Sequence, residues 1–268
     1  MSRCCLRGVL SLALVFLVTS PSVAAVDRWQ LPKKLKEASG LALSADDRIY
    51  THNDEKGIVY RFDPETGDVD PVFKINDPAL RADFEAIAII DQDIYLVTSS
   101  GDLHWVPDSL SYQKAVVTSS LIETGLADVC EVEGLSSYQA ELFIACKKSY
   151  RSENDHHLLI FRFDPKNNRL TEFLRISSAA LGLKKFYASG IEVTKDIVYV
   201  ISARQRRLLL VTRDGELIGQ YKLKKKHHRQ AEGVAVGSTG KIYLVSEGKN
   251  KGGRLSIYDS IADLQEEK

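Results

Sequence analysis

Short runs of alternating apolar residues recur along the chain, and each run opens with the same local motif. An acidic residue or a serine is followed by Gly or Ala, and then by residues of alternating polarity. The five copies are Ser39-Gly-Leu-Ala-Leu43, Glu85-Ala-Ile-Ala-Ile89, Glu133-Gly-Leu-Ser-Ser137, Ser189-Gly-Ile-Glu-Val193 and Glu232-Gly-Val-Ala-Val236. Their first residues lie 46, 48, 56 and 43 positions apart. Recurrence at this period is typical of a repeat architecture.

Three further strands follow the motif in a complete repeat. The second strands are rich in β-branched and aromatic residues, and we place them at 48–52, 93–97, 141–145, 197–201 and 241–245. Third strands are clearest at Ile58-Val-Tyr-Arg-Phe-Asp-Pro64 and Leu159-Ile-Phe-Arg-Phe-Asp-Pro165, which both end in residues typical of a turn. Fourth strands are predicted at 69–75, 113–118, 170–176 and 217–223.

The fifth repeat ends near Tyr258 and lacks a fourth strand, whereas the segment Val26-Asp-Arg-Trp-Gln-Leu31 has the pattern of a strand without a repeat. If this segment pairs with the last repeat, it supplies the missing fourth strand and covers the bare edge of that repeat. Four strands per repeat predict an all-β fold, a β-propeller of four-stranded blades. We count five blades, with the N-terminal strand closing the last one.

The first 25 residues have the features of a signal peptide. Arg3 and Arg7 precede an apolar run at 8–18, and small residues up to Ala25 offer a cleavage site. We therefore divide the chain into a signal peptide, 1–25, and a single propeller domain, 26–268. After processing, no stretch is long and apolar enough to span a membrane. We expect a periplasmic or secreted protein that is not an integral membrane protein.

Charge and motifs exclude several classes of function. The chain has 36 basic and 36 acidic residues, a formal net charge of zero, which does not favour a nucleic-acid partner. It contains no Walker loop, no Gly-x-Ser-x-Gly elbow and no His-Glu-x-x-His motif. Catalytic residues therefore cannot be assigned from motifs. We expect a monomer whose partner is a small ligand or a component of the cell envelope.

Propeller geometry predicts where the polar residues of the repeat collect. The first strand lies nearest the axis and runs antiparallel to the second, so the start of one and the end of the other share a face. Glu85, Glu133 and Glu232 hold the same position in their repeats and should converge there, near Asn53 at a second-strand end. Further candidates for ligand contacts on this face are Glu37, Lys147, Arg204 and Glu247.

Converging carboxylates repel one another unless a positive charge or a proton compensates. Calcium fits this donor set, because it accepts six to eight oxygen ligands in flexible geometry. The metal ligands would be Glu85, Glu133, Glu232 and Asn53. The alternative is that these glutamates are solvated, or paired with Lys147 and Arg204. The residues alone leave the two interpretations equally supported.

Two cysteines remain after processing, Cys130 and Cys146. The predicted strands at 131–137 and 140–146 form a hairpin centred near Tyr138, with each cysteine eight residues from the centre. Residues at equal distance from the centre lie opposite each other, so we predict a cross-strand disulfide. An exported protein meets an oxidising compartment in which such a bond persists.

The densest basic run is Lys222-Leu-Lys-Lys-Lys-His-His-Arg229. It could form a site for phosphate groups or acidic lipid. The interpretation that the sequence favours is a lysine-protected edge strand followed by a solvated loop.

The chain resembles the SdiA-regulated, YjiK-like family of exported β-propellers. The resemblance lies in Glu37-Ala-Ser-Gly-Leu-Ala42, in Thr51-His-Asn-Asp54 and in the acidic repeats at Glu85, Glu133 and Glu232. It implies an envelope location, calcium-linked biology and a relation to phytase-like esterase propellers. Ser39 and Ser189 depart from the acidic pattern, so a cation site would be asymmetric. Six blades are common among these relatives, so a sixth blade stays an alternative.

Three functions are consistent with these features of the sequence. The first is an exported propeller that binds calcium at its acidic mouth and presents that face to a ligand or an envelope partner. The second is a metal-dependent hydrolase, similar to a phytase or a lactonase. The third is an interaction scaffold without metal. The acid-rich mouth favours the first two, and the absence of a recognisable nucleophile–base pair favours the first over the second.

Overall fold

The computed structural model describes residues 26–111 and 114–264, and the predicted signal peptide lies outside them. The strands are β1 (Val26–Gln30), β2 (Ala38–Leu43), β3 (Ile49–Asn53), β4 (Lys56–Phe62), β5 (Val69–Ile75), β6 (Phe84–Ile90), β7 (Asp93–Thr98), β8 (Leu103–Val106), β9 (Val116–Val117), β10 (Ser120–Ile122), β11 (Cys130–Tyr138), β12 (Glu141–Ser149), β13 (His157–Asp164), β14 (Arg169–Ser177), β15 (Gly190–Val193), β16 (Ile197–Ser202), β17 (Arg207–Thr212), β18 (Leu217–Lys222), β19 (Ala231–Val236), β20 (Ile242–Ser246) and β21 (Arg254–Tyr258).

Helical structure in the described part of the chain is limited to three short 3-10 turns. They are Lys33–Leu35, Ser152–Asn154 and Ile261–Leu264. None of them approaches the length that a bilayer crossing requires.

The strands form five four-stranded blades arranged in a ring, which confirms the predicted five-bladed propeller. Blade 1 consists of β2 to β5, blade 2 of β6, β7, β8 and β10, blade 3 of β11 to β14, and blade 4 of β15 to β18. Blade 5 consists of β19, β20, β21 and β1. The innermost strands β2, β6, β11, β15 and β19 each contact the next in the ring, and β19 contacts β2.

The N-terminal strand closes the ring as predicted. Strand β1 pairs antiparallel with β21, from Val26 opposite Tyr258 to Gln30 opposite Arg254. Trp29 of this strand packs edge-on against Phe62 of blade 1, with ring centroids 5.3 Å apart. The closing strand thus also joins the last blade to the first.

The outer strand of blade 2 was wrongly predicted. The residues pairing with β8 are 120–122, rather than 113–118. Val116 and Val117 instead form β9, which pairs in parallel with Lys74 and Ile75 at the outer edge of blade 1. The outer edge of blade 1 is therefore braced by residues that lie, in sequence, between two strands of blade 2, and the repeat period did not reveal this pairing.

Apolar side chains fill the spaces between neighbouring blades. Five buried clusters occur, one at each interface of the ring. Between blades 3 and 4, for example, Phe143 and Ile160 pack with Ile191 and Val200. Because both faces of the inner strands are covered in this way, strands such as β7 and β16 are almost continuously apolar.

The glycine of the repeated motif is explained by crowding at the axis. A Cβ added to Gly233 would lie 2.8 Å from the backbone nitrogen of Leu41 in the next blade. One added to Gly190 would lie 2.8 Å from the carbonyl oxygen of Glu232, and one at Gly40 would lie 2.9 Å from the nitrogen of Ile87. The motif therefore combines a polar residue with a position where adjacent inner strands almost touch.

The disulfide between Cys130 and Cys146 is present, with Cα atoms 5.8 Å apart. The predicted register was wrong, because Cys130 lies opposite Ser149 and Cys146 lies opposite Val132. Irregularities near Val132 shift the strands between the two cysteines. The bond therefore runs diagonally across β11 and β12, and it holds the irregular end of the blade that carries Glu133.

We expect Gly233→Ala to destabilise the protein by roughly 1–3 kcal/mol, since the new methyl group must displace the Leu41 backbone. The matched exchange is Ala86→Gly, which removes a Cβ at the corresponding motif position and should cost only about 0.5–1 kcal/mol. Urea unfolding of both variants measures the difference. Equal losses would contradict the explanation from crowding.

Candidate functional site

A bulge aims the polar residue of the motif at the channel. In four blades the pairing of the innermost strand with its neighbour is irregular at one place, between Ala38 and Gly40, Phe84 and Ala86, Val132 and Gly134, and Ala231 and Gly233. The residues skipped there are Ser39, Glu85, Glu133 and Glu232. Bulges re-aim side chains in this way, so the local backbone accounts for the convergence of the glutamates.

These residues surround a cavity of about 400 Å³ at one mouth of the channel, which we call the axial cavity. Its lining is strongly polar. The lining residues are Ser39, Asp54, Glu85, Glu133, Lys147, Tyr187, Ser189, Ala203, Arg204, Gln230, Glu232 and Glu247. Six of the eight predicted site residues are thus brought together.

The other two predicted residues, Asn53 and Glu37, do not line the axial cavity. The side-chain oxygen of Asn53 accepts the backbone N–H of Glu55 at 3.0 Å. Glu37 pairs with Lys36 at 3.0 Å, and its other carboxylate oxygen is buried without a hydrogen-bond partner. Asn53 caps the turn after β3, and its role as a metal ligand stays a prediction.

Asp54, the residue after Asn53, does line the axial cavity, and one of its carboxylate oxygens is buried without a hydrogen-bond partner. Burial and the negative charge of Glu37 raise the pKa of Asp54 to about 6. The sequence signal that could have identified Asp54 was its position as an acidic residue directly after a second strand.

Lys147 is the main positive charge among the carboxylates. Its Nζ contacts a carboxylate oxygen of Glu133 and lies 2.9 Å from one of Glu131. The side chain of Glu133 is only 12% exposed. Arg204 also lines the cavity, but its guanidinium stacks over Tyr187, 4.3 Å from the ring centroid. Lys147 therefore compensates part of the acidic charge and Arg204 contacts none of the three glutamates.

The remaining repulsion appears in the carboxyl pKa values. Burial and the charges of Glu133 and Asp83 raise the pKa of Glu85 to about 8. Burial raises the pKa of Glu133 to about 7 even though Lys147 acts in the opposite direction. Glu232 and Glu247 also have raised pKa values, for which burial is the main cause. Ionising all of these groups together therefore costs free energy, which a proton or a cation would offset.

The carboxylates are not arranged as a finished metal centre. Within residues 26–111 and 114–264, no group of three His, Cys, Asp or Glu side chains lies close enough to hold a metal ion. The ammonium group of Lys147 contacts Glu133 and would compete with an ion for that carboxylate. A cation could be held only after these side chains rearrange.

A further acid, Glu192, lies lower on the innermost strand of blade 4. The hydroxyl of Ser136 donates to its carboxylate at 2.9 Å and accepts the N–H of Val193 at 2.9 Å. The backbone N–H of Val236 also donates to Glu192, so this carboxyl links blades 3, 4 and 5. Burial raises its pKa to about 8. Sequence analysis did not identify it, although it is the only motif copy with an acid at the fourth position.

We expect the metal-free protein to become less stable as pH rises from about 4.5 to about 8. Glu85 and Glu192 have pKa values near 8 in the folded chain but near 4.5 without their surroundings. The folded state therefore binds more protons in this window, and stability falls as they are released. Urea midpoints at pH 5, 6.5 and 8 measure the loss, which should be on the order of a few kcal/mol.

The double variant Glu85→Gln with Glu192→Gln should reduce this dependence on pH, because an amide does not ionise, while Glu133 and Glu232 retain the rest. A wild-type midpoint that stays constant or rises between pH 5 and 8 would contradict the assignment.

Similarity to solved structures is confined to the fold. The glutaminyl cyclase of Myxococcus xanthus is 14% identical, with 87% of this chain and 95% of the cyclase covered and a TM-score of 0.60. The PQQ-bound aldose sugar dehydrogenase of Streptomyces coelicolor is 14% identical. The match covers 89% of this chain and 99% of the dehydrogenase, with a TM-score of 0.56. A luciferin-regenerating enzyme is 10% identical. The match covers 88% of this chain and 96% of that enzyme, with a TM-score of 0.55.

No curated protein matches the chain in sequence. A family model does match, and its description is SdiA-regulated. The match spans residues 80–250, from the loop before β6 to the loop after β20, and includes the motifs at Glu85, Glu133 and Glu232. It leaves out blade 1, where the resemblance had included Glu37 and Asp54. Since the match covers more than half of the 268 residues, this chain belongs to the SdiA-regulated family.

Proposed function

We propose that this propeller binds a divalent cation, calcium, in the axial cavity and presents the loaded face to a small ligand or an envelope partner. One observation carries the proposal. Glu85, Glu133 and Glu232 are aimed at a single cavity from three blades, and burial together with mutual repulsion raises their pKa values. A bound cation would favour the ionised forms and recover that cost.

The chemistry of the donors supports calcium among the divalent ions. Five carboxyl groups line the axial cavity, and the other lining residues offer hydroxyl and amide oxygens from Ser39, Ser189 and Gln230. No cysteine or histidine of the described part of the chain lines it. Hard oxygen donors in a loose arrangement suit calcium, whereas zinc prefers nitrogen and sulfur ligands.

Lys147 determines how tightly a cation could bind. Its ammonium group already neutralises Glu133 and Glu131, so a calcium ion must displace it or bind on the side of Glu85 and Glu232. Protons compete as well, since the carboxyl pKa values lie near neutrality. We therefore propose a site of moderate affinity that strengthens as pH rises.

The proposed location is the periplasm or the exterior of the cell. The basic and apolar N-terminal segment supports export, and the Cys130–Cys146 disulfide is consistent with an oxidising compartment.

We expect calcium to raise the melting temperature of the purified chain 26–268 and to bind with a stoichiometry near one by titration calorimetry. Glu85→Gln should weaken binding by at least roughly tenfold, since a charged ligand is lost. Lys147→Met should instead tighten binding, because the competing ammonium group is removed. The matched control is Glu65→Gln, which alters an exposed turn of blade 1 and should leave calcium binding unchanged.

Opposite effects of the Glu85 and Lys147 variants would separate a cation site from a general loss of fold. If calcium neither binds nor shifts the melting temperature at pH 8, the cation proposal fails. An interaction scaffold without metal would then be the better description.

A second candidate is a metal-dependent hydrolase. The specific observation in its favour is that Glu85 and Glu133 have pKa values of about 8 and 7, which suit general acid–base catalysis near neutral pH. Lys147 and Arg204 in the same cavity could stabilise the negative charge of a phosphoester or an opened lactone.

For this candidate we expect calcium-dependent release of phosphate from phytate or a chromogenic phosphoester, or calcium-dependent opening of a lactone. Activity should fall by at least roughly a hundredfold in Glu85→Gln, and Glu65→Gln again serves as control. If calcium binds but none of these substrates is turned over, the hydrolase is rejected and the calcium-binding protein remains the better description.

A further inference from the structure

Outside the axial cavity, the structure brings two basic segments together in a second cavity. It has a volume of about 490 Å³, and we call it the basic cleft. One wall is the loop between β18 and β19, and the other is the loop between β20 and β21. The lining residues are Gln30, Lys225, Lys226, His227, Arg229, Glu247, Gly248, Lys251, Gly252 and Arg254.

The first wall is held rigidly in place. His228 is fully buried, with Nε2 at 2.5 Å from the hydroxyl of Tyr258 and Nδ1 at 3.5 Å from that of Ser246. The backbone N–H of His228 donates to the carbonyl of Lys224, which closes a turn. Lys225, Lys226 and Arg229 therefore extend from a loop that is anchored to blade 5 by a buried side chain.

The second wall is tied both to the first and to the closing strand. Arg254 donates from Nη1 to the carbonyl oxygen of Lys226 at 2.6 Å, which joins the walls. Gln30 of β1 donates to the carbonyl of Gly253 at 2.8 Å. A Cβ on Gly252 would collide with the carbonyl of Leu31, so this loop lies directly on the chain after β1. The cleft is thus shaped before any ligand arrives.

Four basic side chains of the cleft find no acidic partner among the described residues. Those of Lys225, Lys226, Arg229 and Lys251 have no hydrogen bond or ion pair with the part of the chain that the structure describes. Elsewhere lysines do find acids, such as Asp155 for Lys185 and Asp259 for Lys241. Among the described residues, Glu247 is the one acid that lines the cleft; it also lines the axial cavity, and burial raises its pKa. Clustered like charges repel, so the cleft attracts anions.

From this geometry we propose that the basic cleft is a binding site for a small, multiply charged oxyanion of the phosphate type. Lysine and arginine donate strong charge-assisted hydrogen bonds to phosphate oxygens. Within residues 26–111 and 114–264, no Phe, Tyr, Trp or aliphatic side chain lines the cleft, so this part of the chain offers nothing to stack on a base or to pack against an acyl chain. Its concave shape fits a compact polyanion better than the plane of an anionic bilayer.

The site differs from the interpretation that the sequence favoured for residues 222–229. The run does end an outer strand, since Lys222 is the last residue of β18 and is exposed. Lys251 and Arg254, however, come from a different loop and complete a second wall that the local pattern could not indicate. The proposal does not depend on calcium in the axial cavity.

Titration calorimetry with inorganic tripolyphosphate in metal-depleted buffer tests the proposal. We expect 1:1 binding that weakens between 50 and 200 mM salt, as an electrostatic site requires. Lys225→Glu with Lys226→Glu should weaken it by at least roughly tenfold, because two charged donors are reversed. Lys251→Glu on the opposite wall should weaken it as well. The matched control is Lys166→Glu with Arg169→Glu, at an exposed turn of blade 3, and should bind like wild type.

Melting temperatures and circular dichroism of each variant confirm that it is folded. Loss of affinity in both cleft variants but not in the control supports the site. Absence of wild-type binding, or equal losses in the control, would overturn it. Binding to vesicles that contain anionic lipid, with no binding of tripolyphosphate, would also overturn it in favour of a membrane-facing patch. Glu85→Gln should retain tripolyphosphate binding, which keeps this test separate from the calcium test.

Discussion

The close approach of five innermost strands around one axis is the constraint on which the rest of the molecule depends. Five strands form a narrow ring, and at Gly40, Gly190 and Gly233 the backbone of one blade nearly touches the next. Little space remains for side chains along the axis, so the polar residues of the motif emerge at one mouth. The bulges beside the glycines complete this arrangement, because they turn each glutamate towards the opening.

The same constraint creates the electrostatics of the mouth. Carboxyl groups brought together at the end of a narrow ring lose solvent and repel one another, and one lysine does not compensate them all. The loops of blades 4 and 5 that line the neighbouring basic cleft have the opposite sign. Glu247 contributes to both cavities and lies at the boundary between them. The face of the propeller therefore has a strong local dipole, although the chain has no net charge.

The repeat made most of the fold predictable from sequence. Blade number, the closing role of 26–31 and the meeting of Glu85, Glu133 and Glu232 all follow from period and alternation. What failed depended on contacts between distant segments or on single irregular residues. Strand β9 pairs with a blade to which it does not belong, and the bulge near Val132 shifted the cysteine register. A repeat pattern contains no information about such exceptions.

The pairing of β1 with β21 has a consequence for how the chain must fold. Val26 and Tyr258 lie at opposite ends of the described sequence, yet they are neighbours in one sheet. During synthesis, β1 is the first of these strands to emerge and its partner β21 is the last. Until then β1 is an unsatisfied edge and the Trp29–Phe62 contact lacks the support of blade 5. Completion of the ring is thus a late, long-range event, of the kind that makes all-β proteins fold slowly and protects them once it has occurred.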